Sequence, residues 1–396
     1  MPTLVQAKVR QACEILREFD VDCWVTFVRE SEICGDPTLD LILGSAVTWH
    51  SAFILTQAGR SVAIVGNYDA DTVKDTGAYG EVIPYVTAFS EPFQRVLTEI
   101  APRTIAVNYS MDSEVCDGLT HGMFLTISDL LRAIGMAERI VSSEPIVSAL
   151  RQRKTGHELG LMRCAIRETE EIFHRLEQAI RPGRTEEDIA QHIRMEAHTR
   201  GLGCAWNPQS CPAVFTGPAT EGGHYGPSSR CVEAGHLLHI DFGVRVEGYC
   251  SDIQRTFYVR RPGEPAPPPE VIRGFTTVVE AIEMARQAIR PGVTGECVDA
   301  VARRHITRSG YAEFASALGH QVGRFAHDGT ALLGPPWEKY GQKPFFPLEE
   351  GMVFTLEPRV MVPGHGVVSL EEMVVVTRTG ADFLTTPETA LICVGP

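Results

Sequence analysis

Apolar residues recur at helical spacing over Lys8–Phe19 and over Glu91–Ile100, and short continuous apolar runs lie between them at Cys23–Val28, Ser51–Thr56 and Ser61–Val65. Runs of that length bounded by polar residues read as strands, and Gln57-Ala58-Gly59-Arg60 joins the last two as a hairpin. With Thr104–Asn108 also extended, residues 1–150 form a small α/β pattern. It carries no nucleophile motif, phosphate loop or ligand cluster. Trp49, His50 and His121 read as core or surface fillers, because isolated residues of these types usually are. No catalytic group is expected from this part.

The pattern changes near Val147–Lys154, and a long helical periodicity then runs from His157 to about Ile180. A chain of 396 residues exceeds what one hydrophobic core usually supports, so the expected domains are 1–150 and 151–396. Within the second, Ala179-Ile180-Arg181-Pro182-Gly183-x-Thr185 recurs 109 residues later as Ala288-Ile289-Arg290-Pro291-Gly292-x-Thr294. Each copy follows one helix and opens another, over Glu186–Arg200 and Glu296–Ser309, with Pro-Gly ending the first helix and Thr capping the next. The match predicts an internal duplication. The Pro-rich stretch Pro262–Pro269 is then a loop inside one domain.

Composition narrows the partners. Fifty acidic against 36 basic side chains give a net charge of −14, which repels phosphate backbones and anionic membrane surfaces. No run approaches 18 apolar residues, and the first 20 residues lack an apolar signal core. Eleven cysteines are scattered from Cys13 to Cys393 without a C-x-x-C, which suits reduced thiols in a cytoplasmic protein.

The candidate chemistry lies at the end of each repeat. In the first, Asp241 and Asp252 flank a turn centred on Val246-Glu247, which predicts that they face each other directly across two strands. In the second, Glu357 and Glu371 are equidistant from Gly364. Opposed residues on antiparallel strands hold their Cβ atoms roughly 4.5–5.5 Å apart, and two carboxylates there repel unless a cation separates them. Arg255 or Arg359 would explain one such acid, but two pairs in apolar strands point to metal. His320, flanked by Gly319 and by the Gly323 turn, is the candidate fifth ligand. Four carboxylates and an imidazole suit two divalent ions, manganese first, with cobalt, zinc and iron as alternatives, about 3.5–4 Å apart.

The order Asp241, Asp252, Gly319-His320, Thr355-x-Glu357-Pro358 and Glu371 resembles the metallopeptidases that include prolidase, aminopeptidase P and methionine aminopeptidase. The resemblance spans roughly Arg151 to Thr377, and the preceding α/β part resembles that of prolidases, aminopeptidase P and creatinases. It implies an N-terminal creatinase-like α/β domain followed by an α+β pita-bread catalytic domain with a pseudo-two-fold duplication. It also implies metal ligands Asp241, Asp252, His320, Glu357 and Glu371, with His224 and His327 flanking the scissile carbonyl and Glu357 as general base. The implied activity is cleavage of short peptides with proline at the second position by a homodimer, with Xaa-Pro dipeptidase the preferred reading. The alternatives are an aminopeptidase for longer peptides, another C–N hydrolase on the creatinase or ectoine-hydrolase scaffold, and a non-catalytic binding module.

The chain departs from the family pattern at four places. Arg359 and Met361 stand where Gly and Tyr are usual, Ser369 where Arg is common, and Gln321 where a small residue follows Gly-His.

Overall fold

Strand β1 (Cys23–Val28) is buried along its whole length because both faces of its sheet are covered. In the computed structural model, which describes residues 3–218 and 226–395, the chain divides into two compact units, Met1–Arg151 and Gln152–Pro396.

The first unit is built on a six-stranded mixed sheet in the order β4-β3-β2-β1-β5-β6. Its other strands are β2 (Ser51–Thr56), β3 (Ser61–Gly66), β4 (Glu81–Tyr85), β5 (Ile105–Val107) and β6 (Ile140–Ser142). Alternate residues feed two separate cores. Trp24, Phe53 and Val65 pack with α1 (Leu4–Glu18), α2 (Leu39–Ile42) and α3 (Ala70–Asp75), together with α6 (Glu144–Gln152). Val25, Ile54 and Ile64 pack on the other face against α4 (Ser90–Ile100) and α5 (His121–Arg132). Helix α1 begins four residues before the expected span, because Thr3 caps it in a capping box with Gln6.

The second unit carries four long helices in two pairs: α7 (Gly156–Leu176) with α8 (Glu186–Thr199), and α9 (Pro269–Ala288) with α10 (Gly295–Arg308). The two Pro-Gly segments behave alike. Gly183 and Gly292 take φ of +89° and +87°, a left-handed conformation that favours glycine. Gly183 N–H donates to Val232 O and Gly292 N–H to Leu348 O, each at 2.9 Å. Val232 and Leu348 return bonds to Arg184 O and Val293 O, each at 2.8 Å. The capping differs between copies. Thr185 caps α8 with a full capping box, whereas the Thr294 hydroxyl turns to Cys297 Sγ and makes no side-chain cap.

The first half ends in the sheet β20-β12-β9-β8, comprising β8 (Ala213–Thr216), β9 (Leu237–Phe242), β12 (Ile253–Val259) and β20 (Ile392–Val394). A small sheet of β7 (Gly203–Cys204), β10 (Val244–Val246) and β11 (Tyr249–Cys250) extends its hairpin. The second half supplies β13 (Gly319–His320) and β14 (Leu332–Leu333) as one pair, and β16 (Arg359–Val362) with β17 (Gly366–Ser369) as another. It also supplies a sheet of β15 (Val353–Leu356), β18 (Glu372–Val376) and β19 (Ala381–Phe383). Residues of α9, α10 and β15–β18 share one hydrophobic core.

Arg255 on β12 ties the halves together. It is 2% exposed, donates through Nη1 to Gln254 O and Glu371 O, and pairs with the buried Glu372 at 3.1 Å. Arg255 thus lies on the opposite sheet face from Asp241 and Asp252 and pairs with Glu372, so it does not account for the aspartates. Arg255→Ala should destabilise the protein by about 3–5 kcal/mol, since it leaves Glu372 as an uncompensated buried charge. Urea unfolding measures this. Arg255→Met combined with Glu372→Leu should recover much of the loss, and a single-variant loss below about 1 kcal/mol would show the pair to be unimportant.

Candidate metal centre

The five acidic and imidazole candidates come from three pieces of backbone. In the β9/β12 hairpin, Val246 pairs with Tyr249, so the turn is Glu247-Gly248, with φ of +46° and +84°. Both central residues are left-handed, as a two-residue hairpin turn requires. The turn centre thus lies one residue beyond the expected position. Asp241 consequently faces Gln254, and the expectation that it directly opposes Asp252 is corrected to a diagonal relation. A shift of two in the pairing keeps Asp241 and Asp252 on one face, because side chains alternate with period two. Their carboxyls remain close enough to share a hydrogen bond.

The second pair follows the symmetric placement about Gly364. Leu356 pairs with Glu372 on one side and Arg359 with Ser369 on the other, so Glu357 and Glu371 fall opposite each other between two ladders of the same register. His320 comes from β13, where its N–H donates to Thr355 Oγ1 at 3.1 Å. A Cβ on Gly319 would lie 1.9 Å from Thr355 O, so only glycine lets β13 approach this strand.

These elements converge. His320 Nε2 lies 3.4 Å from Glu357 Oε1, 3.8 Å from Asp252 Oδ2 and 3.9 Å from Glu371 Oε1. Among the described residues, Asp252, His320 and Glu371 each offer a ligand atom within 4.8 Å of the others. Glu371 is 1% exposed and Asp252 5%. Both oxygens of Glu371 and Oδ1 of Asp241 are buried without a hydrogen-bond partner.

The electrostatics follow from this crowding. Burial, reinforced by the Glu357 charge, pushes the Asp241 carboxyl up to about 7 despite opposition from His320. Burial and the neighbouring carboxylates also push Asp252 and Glu371 well above the ordinary range. At Glu357 burial acts in the same sense, but the hydrogen bond and charge of His320, then Arg359 and Gln254, outweigh it and hold the carboxyl low. Burial disfavours the His320 imidazolium, and Glu357 more than compensates, raising it. Oxygen atoms that are buried, mutually repelling and unpartnered, with one imidazole among them, fit a divalent cation by donor type and charge.

His327 is exposed, and its ring stands edge-on to that of His320 with centroids 4.2 Å apart. His224 lies outside the described residues. Two neighbours escaped the sequence reading. His239, 7% exposed and stacked on Phe215, lies two residues before Asp241 on the same face. Burial and then the Arg359 charge push it down to about 3. Gln254, the residue facing Asp241, donates from Nε2 to Glu357 Oε2 at 2.9 Å. The period-two pattern around Asp241 and Asp252 places both on the acidic face. Of the atypical residues, Gln321 is buried and bonds Gln152 and Ala331 O, so it serves as a structural tie.

The sequence profile of metallopeptidase family M24 matches residues 160–378, more than half the chain. The chain belongs to metallopeptidase family M24. The M24 match includes every residue of the acidic cluster. An Xaa-Pro dipeptidase of Pyrococcus furiosus is 30% identical over 250 residues, covering 63% of this chain and 67% of that relative. The X-Pro aminopeptidase of Thermotoga maritima superposes with a TM-score of 0.75 at 26% identity, covering 96% of this chain and all of that one. The Xaa-Pro dipeptidase of Bacillus anthracis gives 0.75 at 22% identity, covering 98% and 100%, a likeness of fold. The C-terminal unit thus has the pita-bread fold of the prolidases and aminopeptidase P, with an α/β unit before it. The protein is an M24 metallopeptidase, a family that uses divalent metals.

In chelator-treated protein the raised acids set a pH dependence. A carboxyl whose folded value is raised stabilises fully below its unfolded value, near 4, and loses that contribution as pH rises through its folded value, about 7 for Asp241. The difference in Tm between Asp241→Asn and the wild type should therefore shift in favour of the variant between pH 4 and 8. Calorimetry in EDTA measures it, and a flat difference would show that Asp241 is not perturbed.

Proposed function

We propose that the protein is a dinuclear-metal Xaa-Pro dipeptidase. The observation that carries the choice is Arg359. It faces Ser369 across the β16/β17 ladder, donates to Ser316 Oγ at 3.3 Å, and its charge is felt at Asp241, His239 and Glu357. A cation bordering the cluster suits the free carboxylate of a dipeptide just beyond proline. Asp241, Asp252, His320, Glu357 and Glu371 would hold the two ions, with manganese the preferred metal. The bound metals would supply Lewis acidity that polarises the scissile carbonyl. Glu357 would take the proton of the attacking water and deliver it to the leaving nitrogen, which must gain one because a proline amide has no N–H. His327, with His224, would donate hydrogen bonds to the developing oxyanion.

A homodimer is supported by an apolar rim on the first unit. Ile33, Trp49, Tyr68, Val86 and Met111 are 56–92% exposed and follow or precede strands at one end of the sheet, a concentration that favours burial against another surface. The eleven free thiols support a reducing, cytoplasmic setting. Among the described residues, no helix is long and apolar enough to cross a membrane. Cleavage of longer peptides as an aminopeptidase is the second reading, favoured by the Thermotoga maritima likeness.

Asp252→Asn should lower metal occupancy and activity by orders of magnitude while leaving the fold intact. Near-full activity in metal-limited buffer would refute its place among the ligands. His327→Ala should instead lower kcat about 10²–10³-fold with metal content unchanged. For length preference, kcat/KM for Ala-Pro or Leu-Pro should exceed that for the same peptide extended by one residue, and Arg359→Ala should narrow the gap. Equal or faster tripeptide cleavage would favour the aminopeptidase.

A further inference from the structure

Gln254, which is not among the ligand candidates, meets three of the four acids. Its backbone faces Asp241 in the ladder, and its carbonyl accepts from Glu371 N–H at 3.1 Å. Its side chain holds the remaining glutamate, donating from Nε2 to Glu357 Oε2 at 2.9 Å. The other end of the amide is also engaged, because Ser369 Oγ–H donates to Gln254 Oε1 at 2.6 Å. Ser369 is itself fixed against β12. Its N–H donates to Thr256 Oγ1 at 3.1 Å, and the Thr256 hydroxyl donates to Ser369 O at 2.6 Å.

An amide has two ends of nearly equal shape and opposite hydrogen-bonding character. Flipped, it would set its carbonyl oxygen against a carboxylate oxygen, and both partners are buried away from compensating water, with Gln254 7% and Ser369 2% exposed. The acceptor-only Glu357 carboxylate therefore selects the orientation that presents N–H to it, and the Ser369 hydroxyl, donating to Oε1, anchors the far end of the amide in that orientation. The result distinguishes two glutamates that the hairpin register places opposite each other. Glu357 has Oε2 held by the amide at 2.9 Å and Oε1 turned toward His320 at 3.4 Å, whereas neither oxygen of Glu371 has a hydrogen bond of that closeness.

We propose that Gln254 is a positioning residue that restrains the Glu357 carboxylate, and that Ser369 acts through it by fixing the amide. The proposal rests on the metallopeptidase reading of the cluster. It assigns Ser369 a role in which a hydroxyl on β17 orients a group on β12 that in turn aims a group at the end of β15.

The test uses the full-length protein and Mn²⁺ as probe. Mn²⁺ affinity is measured by isothermal titration calorimetry, and kcat and KM by hydrolysis of Ala-Pro. Gln254→Met keeps the length of the side chain and removes its donor. It should weaken Mn²⁺ binding and lower kcat about 10–100-fold, the usual scale for partners that orient metal ligands, with KM little changed. Ser369→Ala should act in the same direction, and Ser369→Thr, which keeps the hydroxyl, should restore both quantities. Ser369→Ala should add nothing in the Gln254→Met background, because both act through one amide. Additive losses, or wild-type affinity and kcat in Gln254→Met, would overturn the proposal while leaving the metallopeptidase reading intact. If Gln254→Met fails to fold, the Ser369→Ala and Ser369→Thr pair decides alone, and equal behaviour of the two overturns it. A wild type that binds no Mn²⁺ would overturn both.

Discussion

The centre depends on like charges confined where water cannot separate them. Two adjacent glutamates on one strand show how the sheet manages this. Glu372 points to the face where Arg255 meets it at 3.1 Å, and Glu371 to the face where neither oxygen has a hydrogen-bond partner and His320 Nε2 stands 3.9 Å from Oε1. Strand alternation alone assigns one acid to a structural ion pair and its neighbour to the open cluster. Burying a carboxylate without compensation is unfavourable enough to shift its protonation. The core around α9, α10 and β15–β18 holds Glu371 in place against that penalty, and a divalent ion would relieve it.

The duplication explains why the acids come in pairs but not why their geometry differs. In the second half, one register runs through β15/β18 and β16/β17, so Glu357 and Glu371 are placed face to face. In the first half, Glu247-Gly248 moves the turn by one residue, and the aspartates sit diagonally with Gln254 between the strands' acidic positions. The freed position opposite Asp241 is where an amide can enter and grip a carboxylate of the other half.

Most of the architecture was readable from the chain. The alternation of short apolar runs and helical periodicities marked the first unit, and the repeated Pro-Gly-x-Thr segment marked the halves of the second. The order of acids and the Gly-His pair identified the cluster. Register in the first hairpin was not readable, because it depends on which two residues adopt left-handed conformations, and Val246-Glu247 and Glu247-Gly248 overlap. The Ser369–Gln254–Glu357 chain was invisible for a different reason. Its members are far apart in sequence and two are uncharged, so charge pairing does not signal them, and periodicity places Gln254 on the acidic face without naming its partners. His239 has no sequence signal beyond its place on the Asp241 face, because Phe215 and Arg359, which set its environment, come from distant segments.

Strand β20 pairs in parallel with β12, with Phe257, Tyr258 and Val259 opposite Ile392, Cys393 and Val394. It covers what would otherwise be the bare margin of the sheet that carries the first two acids. Without it, that margin would present unpaired backbone groups beside the buried Phe257-Tyr258-Val259 end of the strand, the arrangement that templates strand addition from another molecule. Strand β20 thus acts as a guard against self-association, and its removal would threaten solubility before it disturbed the chemistry some distance away along β12.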